Sequence, residues 1–212
     1  MIRLIQRELK MGGRGFTIRQ DSVGETYQLH CHDFYEFFLV TKGRALHVVN
    51  DTYQIVSRGS LVFVRPDDTH CYDYYKSQDF SFYNSGIPHA YYEKICGYYG
   101  SRMQSLDELP VSKHIHISDT LTRRLEEQLS SLRDVQVTPE TELQYLLLLS
   151  EVMYCFLTED SLSEDGQLPD WLLRVLDEMA HPENFIEGLP RLLCIANYSQ
   201  EYVNREFQRY LH

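Results

Sequence analysis

Three histidines and a glutamate in this sequence have the types and spacing of metal ligands. His30 and His32 flank Cys31, Glu36 follows four residues later, and Gly24 and Gly43 bracket the set. Imidazole nitrogens and carboxylate oxygens are common donors to first-row divalent cations, which take four or more ligands. On one continuous strand, positions 30, 32 and 36 would share a face and Cys31 would turn outward. A further donor, His70, closes the stretch Gly59 to His70, where a strand and the turn Pro66-Asp67-Asp68-Thr69 return it toward the same interior. Cys71, next in line, reads as inert, like Cys31. Two chemistries are open at these four residues. They hold one divalent transition metal (Zn, Ni, Mn or Fe), or they form a metal-free polar floor that meets a ligand directly.

Aromatic residues crowd the same region: Phe16, Tyr27, Phe34, Tyr35, Phe38, Phe63, Tyr72, Tyr74 and Phe82. A subset facing His30 and Glu36, with Phe38 and Tyr72 as ligand contacts, suits a small carbohydrate, because apolar sugar faces stack on rings while hydroxyls need convergent polar groups. For each ring the alternative is ordinary barrel packing. Arg14 and Arg44 are candidates for contacting a sugar phosphate, or are simply exposed.

Positioning such a site requires a β-structure, and the first 85 or so residues supply it. Short runs rich in Tyr, Phe, Val and Thr (Phe34 to Val40, Ala45 to Val49, Tyr53 to Val56) are broken by Gly43 and by Asn50-Asp51. Strands of this length at such spacing predict a β-sandwich or small barrel. From about residue 88 the period changes. A short helix fits Pro88 to Tyr99, and Val111 to Ile117 alternates as an edge strand. Ser118 caps a helix with Leu121, Leu125, Leu129 and Leu132 on one face. Thr138 caps another, with Pro139 at its first position and a stripe of Leu143, Leu146, Leu147, Met153, Tyr154 and Leu157. The short link between them makes the two antiparallel neighbours.

The last segment is helical too. Trp171, Leu172, Val175 and Met179 form a first face. A second helix starts near Gly188, with Pro190 in its first turn, and buries Leu189, Leu192, Leu193 and Ile195. Asn197 takes a left-handed turn, and Ser199 caps a third helix whose Val203, Phe207 and Leu211 face inward.

Composition sets outer limits. The chain has 212 residues with a net charge of −11, 43% apolar and 24% charged, which excludes a disordered chain and a disulfide-stapled miniprotein. The negative charge counts against a strong general nucleic-acid binder. Five scattered cysteines without a CxxC pair argue against a disulfide framework or a Cys-based zinc site, and read as reduced thiols packed mostly in cores. The absence of a secretory signal or an apolar run long enough to span a bilayer places the chain in the cytoplasm.

The two-part pattern around His30, His32, Glu36 and His70 resembles the cupin superfamily. Its first half matches at every defining position. Its second half departs, with Asp68 where cupins usually have Gly and Tyr74 where many have Asn. The resemblance implies an antiparallel jelly-roll barrel with an internal pocket, and carries His30, His32, Glu36 and His70 over as ligands. The run from Leu192 to Phe207 looks like the first helix-turn-helix of the AraC/XylS family of transcription regulators. Within it, the run His30-Cys31-His32-Asp33-Phe34-Tyr35-Glu36 and the start Ser199-Gln200-Glu201-Tyr202 are most similar to the subgroup that regulates chitobiose and related oligosaccharide operons.

That likeness implies a mainly β cupin barrel followed by an antiparallel helical pair and a small all-α helix-turn-helix unit. It divides the chain into a sensing barrel over 1–117, a helical pair over 118–159 that makes a homodimer, a linker over 160–167 and the first helix-turn-helix unit over 168–212. The family carries two such units, so the natural protein is expected to continue past His212. Residues 168–212 hold four Arg against seven Asp or Glu, a net of −3, so DNA binding is expected only of the intact form. There Gln200, Asn204, Arg205 and Gln208 would face the major groove; otherwise they form a solvated helix face. The function expected is a ligand-responsive, non-enzymatic transcription regulator that binds a small carbohydrate or sugar phosphate. The rivals are a cupin metalloenzyme of isomerase or dioxygenase type using the His/His/Glu/His set, and a metal-free dimeric binding module.

Overall fold

A computed structural model describes residues 2–4, 16–22, 29–73, 80–159 and 168–211; Arg14, Gly24, Tyr27, Tyr74, the expected linker and His212 lie outside the described residues. The strands are β1 (Ile2–Leu4), β2 (Thr17–Ser22), β3 (His30–His32), β4 (Tyr35–Lys42), β5 (Arg44–Val49), β6 (Thr52–Ser57), β7 (Ser60–Val64), β8 (His70–Asp73), β9 (Ser81–Ile87) and β10 (His114–His116). Among the described residues they form two five-stranded sheets, ordered β1-β3-β8-β5-β6 and β10-β7-β4-β9-β2. All pairs are antiparallel except β1 with β3. The two sheets enclose an interior of Phe38, Val40, Ala45, Val56, Val62, Val64, Tyr72, Phe80 and Phe82. The edge strand expected over Val111 to Ile117 is confined to His114–His116, paired with β7.

Histidines 30 and 32 do not share a strand with Glu36. The chain bends at Asp33 and Phe34 and passes from one sheet to the other. Glu36 nevertheless points inward, because alternation along β4 sends Phe38 and Val40 to the interior and Phe37 and Leu39 to the opposite face. That opposite face is covered by helices α1 (His89–Tyr99), α2 (Gln104–Asp107), α3 (Asp119–Leu132) and α4 (Pro139–Thr158), whose apolar residues join Phe37, Leu39, Leu61 and Phe63 in one cluster. Strands β4 and β7 are therefore buried on both faces.

The helix starts follow the sequence rules. Ser118 accepts from the Leu121 N–H, and Thr138 and Thr141 form a capping box with Pro139 in the first turn. Leu125, Leu129 and Leu132 are buried as expected, with Leu121 partly so. The face of α4 is a correction. It buries Tyr145, Leu148, Leu149, Val152, Met153 and Phe156, and leaves Leu143, Leu147 and Tyr154 from the expected stripe 63%, 72% and 57% exposed. The helix is apolar almost all round, so its periodicity did not select a side. Tyr145 decides it, stacking on Phe16 at 4.0 Å and meeting the Ser85 hydroxyl at 2.9 Å. Cys31, between the two histidines, is buried at 4% exposure. Only Cys31 and Cys155 of the five cysteines are buried, and Cys194 is exposed.

The C-terminal unit comprises α5 (Asp170–Ala180), α6 (Pro182–Glu187), α7 (Leu189–Ala196) and α8 (Gln200–Leu211). Asn197 sits at φ 56° and ψ 34°, the left-handed turn expected, and Ser199 accepts from the Tyr202 N–H. Leu172, Val175, Ala196 and Val203 are buried, but Leu189, expected in the core, is exposed at the start of α7. Helix α6 was not legible, being only six residues long. This unit packs on the outer face of the β5–β6 hairpin, where Leu46, Tyr53 and Ile55 meet Leu168, Trp171, Leu172, Phe207 and Tyr210. Among the described residues no helix is long and apolar enough to cross a membrane.

Asp68, where the cupin pattern has Gly, organises the approach to β8. The left-handed backbone falls one residue earlier, on Asp67 at φ 66°. The Asp68 carboxylate accepts from the Arg65 backbone N–H and guanidinium at 3.0 to 3.1 Å, from Asn50 Nδ2 at 2.6 Å and from the Ser112 hydroxyl at 2.8 Å. Asn50 and Asp51 carry the left-handed two-residue turn between β5 and β6, and Asn50 Oδ1 also receives the Thr69 N–H. Burial would raise the Asp68 pKa, but hydrogen bonds from Arg65, Asn50 and Ser112 outweigh it and hold the carboxyl below the usual range. Asp68→Ala leaves a largely buried guanidinium unpaired and should cost about 3 kcal/mol in urea unfolding at pH 7. A group whose pKa is lowered by folding stabilises above its unfolded value, so the difference from wild type should shrink as pH falls below about 4.

Candidate functional site

His32, Glu36 and His70 converge at the centre of the barrel. One donor atom from each lies within 4.8 Å of the others, and all three side chains are buried. The two histidines come from neighbouring strands of one sheet, with β3 and β8 paired so that His30 stands opposite His70, and Glu36 comes from β4 across the interior. His32 Nε2 lies 3.6 Å from Glu36 Oε2. His32 Nε2, Glu36 Oε1 and His70 Nε2 are each buried without a hydrogen-bond partner among the described residues.

Burial dominates the electrostatics. It lowers the His32 pKa to about 4 against a raising hydrogen bond to the Phe34 carbonyl, and it takes His70 well below its ordinary value, with His47, His30 and His32 adding to the effect. It pushes Glu36 up to about 8, opposed by a hydrogen bond with Asn84. At neutral pH the free cluster thus contains uncharged imidazoles and a mostly protonated carboxyl. A cation would reverse this balance and draw out the carboxylate.

The donor set fits a first-row divalent ion. It consists of two imidazole nitrogens and a carboxylate, with partnerless buried atoms that a metal would satisfy. His30, the fourth expected ligand, is not in the tight group. Its ring centroid is 4.3 Å from that of His70 and 6.4 Å from that of His32, and it lines the adjoining cleft instead.

That cleft spans about 480 Å³ when its open mouth is counted, a figure that includes open solvent. Its walls are Thr17, Arg19 and Asp21 on β2, His30, Phe34 and Glu36, and Tyr72, Phe82 and Asn84. Of the expected ligand contacts, His30, Glu36 and Tyr72 line the cleft, whereas His32 and His70 do not. Phe38 does not line it; it is fully buried behind, edge-on to both Tyr72 and His47 at 5.1 Å. Phe16, Tyr35 and Phe63 belong to the helix-covered face. Arg44 is partly buried on β5, and the arginine that lines the cleft is Arg19. Sequence reasoning missed Arg19 and Asn84, which reach the site only through the pairing of β2 with β9 and of β9 with β4.

Along α8, Gln200, Asn204, Arg205 and Gln208 are all exposed. Gln200, Asn204 and Gln208 follow one another at one-turn spacing. Arg205 lies over the Tyr202 ring at 5.0 Å and pairs with Glu206 at 3.1 Å.

Comparison with known proteins agrees with this architecture. Residues 14–147 match the family model described as the AraC-like ligand binding domain. The HTH-type transcriptional activator RhaS of Escherichia fergusonii is 25% identical over 161 residues, covering 71% of this chain and 56% of that protein. The HTH-type transcriptional activator RhaR of Shigella flexneri is 40% identical over 48 residues, covering 23% of this chain and 17% of that protein. The chain thus spans little more than half the length of the first of these relatives. A crystal structure of an apo ToxT variant from Vibrio cholerae superposes with a TM-score of 0.55 at 12% identity, covering 92% of this chain and 74% of that one, a likeness of fold. On the family match over most of its length, the chain belongs to the AraC-like ligand binding domain family.

Proposed function

We propose that the chain is the sensing portion of a ligand-responsive transcription regulator whose barrel receives a small carbohydrate or sugar phosphate. The observation that carries this reading is the cleft, where the aromatic walls Phe34, Tyr72 and Phe82 face the polar groups of Arg19, Glu36 and Asn84. A sugar needs that pairing of stacking faces with convergent hydrogen-bond partners. The curated relatives are transcriptional activators by name, and α7, its left-handed turn and α8 have the shape of a helix-turn-helix. Gln200, Asn204, Arg205 and Gln208 would meet DNA in an intact protein, and the likeness to chitobiose-type regulators favours a short oligosaccharide. Titration calorimetry against a panel of mono- and disaccharides and their phosphates should find one saturating class. Asn84→Ala should weaken it at least about tenfold, the loss of one or more buried hydrogen bonds. Binding to none of the panel would sink the carbohydrate assignment.

The partnerless nitrogens of His32 and His70 favour an addition to this reading, that His32, Glu36 and His70 hold one divalent transition metal. Such an ion would supply a Lewis-acid centre beside the cleft that Glu36 lines. The same set serves the rival metalloenzyme, whose chemistry would have no use for the C-terminal helices. Elemental analysis of protein purified without an affinity tag should find close to one equivalent of Mn, Fe, Ni or Zn, and His32→Ala should abolish it. Metal-free protein with an intact fold leaves the histidines as direct ligand contacts.

The exposed Leu143, Leu147 and Tyr154 of α4 support a homodimer through the helical pair. They lie four and seven residues apart on one helix face, an exposed apolar stripe interrupted by Ser150 and Glu151. Sedimentation equilibrium should give a dimer for the wild type and a monomer for Leu147→Glu, with unchanged circular dichroism. A wild-type monomer at micromolar concentration would refute the assignment.

A further inference from the structure

A chain of hydrogen bonds runs from the barrel wall to His70 and fixes which of its nitrogens carries a proton. It begins at the Ser112 backbone carbonyl, which can only accept. Gln54 Nε2 donates to it at 3.1 Å, so Gln54 Oε1 must face the other way, toward His47 Nδ1 at 3.2 Å. An amide oxygen accepts, so His47 Nδ1 bears the hydrogen. The His47 ring is fully buried, which disfavours its charged form, and a neutral imidazole has one donor and one acceptor. His47 Nε2 is therefore a lone pair, and the His70 Nδ1 facing it at 3.4 Å must donate. His70, also fully buried, is left with a bare Nε2. His32 is set the same way by a different acceptor, its Nδ1 lying 2.6 Å from the Phe34 carbonyl, so its Nε2 is bare too. Both partnerless nitrogens beside Glu36 are thus lone pairs aimed at a common point, an arrangement that attracts a cation.

We propose that His47 and Gln54 are positioning residues that hold His70 with its Nε2 lone pair facing His32 and Glu36, ready for a divalent cation. Neither touches the cation position; they act through the His70 ring. The inference rests on the metal reading given above, but its first readout needs no metal. The two residues stand directly opposite each other in the β5–β6 pairing. Without Gln54 the His47 ring could flip its proton, and His70 would then turn an N–H toward the site.

The test uses the full chain labelled with nitrogen-15 and stripped of metal. Two-bond proton–nitrogen correlation spectra read the His70 tautomer, assigned by its loss in His70→Gln, and competition with a chromophoric chelator reads Zn²⁺ affinity. In the wild type, His70 should carry its proton on Nδ1. Gln54→Leu should give a mixture of tautomers and a zinc affinity about 10–100-fold lower, the usual effect of removing a ligand's supporting partner. Gln54→Glu should restore both, because a buried carboxyl still accepts from His47 and, when protonated, still donates to Ser112. A wild-type His70 protonated on Nε2 overturns the proposal, as does Gln54→Leu with unchanged tautomer and affinity. If Gln54→Leu does not fold, His47→Phe takes its place with the same expectations. A wild type with the expected tautomer that takes up no zinc overturns the metal reading and leaves the relay standing.

Discussion

Burying three polar atoms with nothing to answer them is the constraint around which this barrel is organised. His32 Nε2, Glu36 Oε1 and His70 Nε2 each forgo water for an interior of phenylalanine and valine, at a cost of about 1–3 kcal/mol apiece when unsatisfied. The surroundings limit that cost by holding every other polar atom of the cluster in a bond. Phe34 takes the second nitrogen of His32, His47 takes that of His70, and Asn84 meets Glu36. Asp68 anchors the return to β8 through Arg65, Asn50 and Ser112, and Ser112 in turn orients Gln54. The unsatisfied atoms are what remain after an otherwise complete network. That pattern is the one a place kept open for a ligand would leave.

The sequence made the residue types of this site legible but not the whole of its construction. His30, His32, Glu36 and His70 stand out because histidines and a glutamate are rare in strands, and alternation predicts their faces. The prediction assumed one continuous strand, and the chain instead changes sheets at Asp33 and Phe34; convergence survived because Glu36 restarts the alternation on the opposite wall. His30 then falls outside the tight group. Arg19, Asn84 and His47 could not be read from their local neighbourhoods, since each reaches the site through pairing with a strand distant in sequence, and Gln54 comes with His47 across the β5–β6 hairpin.

Helices were easier to place than to orient. The caps at Ser118, Thr138 and Ser199 and the left-handed Asn197 are local chemistry and are where the sequence puts them. The buried side of α4 is a tertiary matter. A helix carrying Leu143, Tyr145, Leu146, Leu147, Leu148 and Leu149 presents apolar groups in every direction, and Tyr145, stacked on Phe16 and bonded to Ser85, selects one. The consequence is a second apolar stripe left facing solvent, which a chain in water would not keep without a use. Likewise β4 and β7 lose the usual polar alternation because helices cover their outer face, and their continuous apolar runs are the sequence trace of that cover.

One hairpin joins the two ends of the molecule's chemistry. On β5 and β6, His47 and Gln54 point into the barrel toward His70, while Leu46, Tyr53 and Ile55, the residues between and beside them, point outward onto Leu172, Trp171 and Phe207 of the C-terminal unit. Alternation makes this the shortest connection a strand can offer, since a backbone held on one face by hydrogen bonds to a site cannot shift there without carrying the other face along. The hairpin is also closed by the Asn50-Asp51 turn, whose Asn50 is bonded to Asp68 and Thr69 and so tied to the strand that carries His70. A ligand in the cleft changes the helical unit only to the extent that it binds two arrangements of this hairpin with different affinity. The geometry meets the structural half of that requirement: the residues that orient the site and those that seat the helices are consecutive on the same two strands.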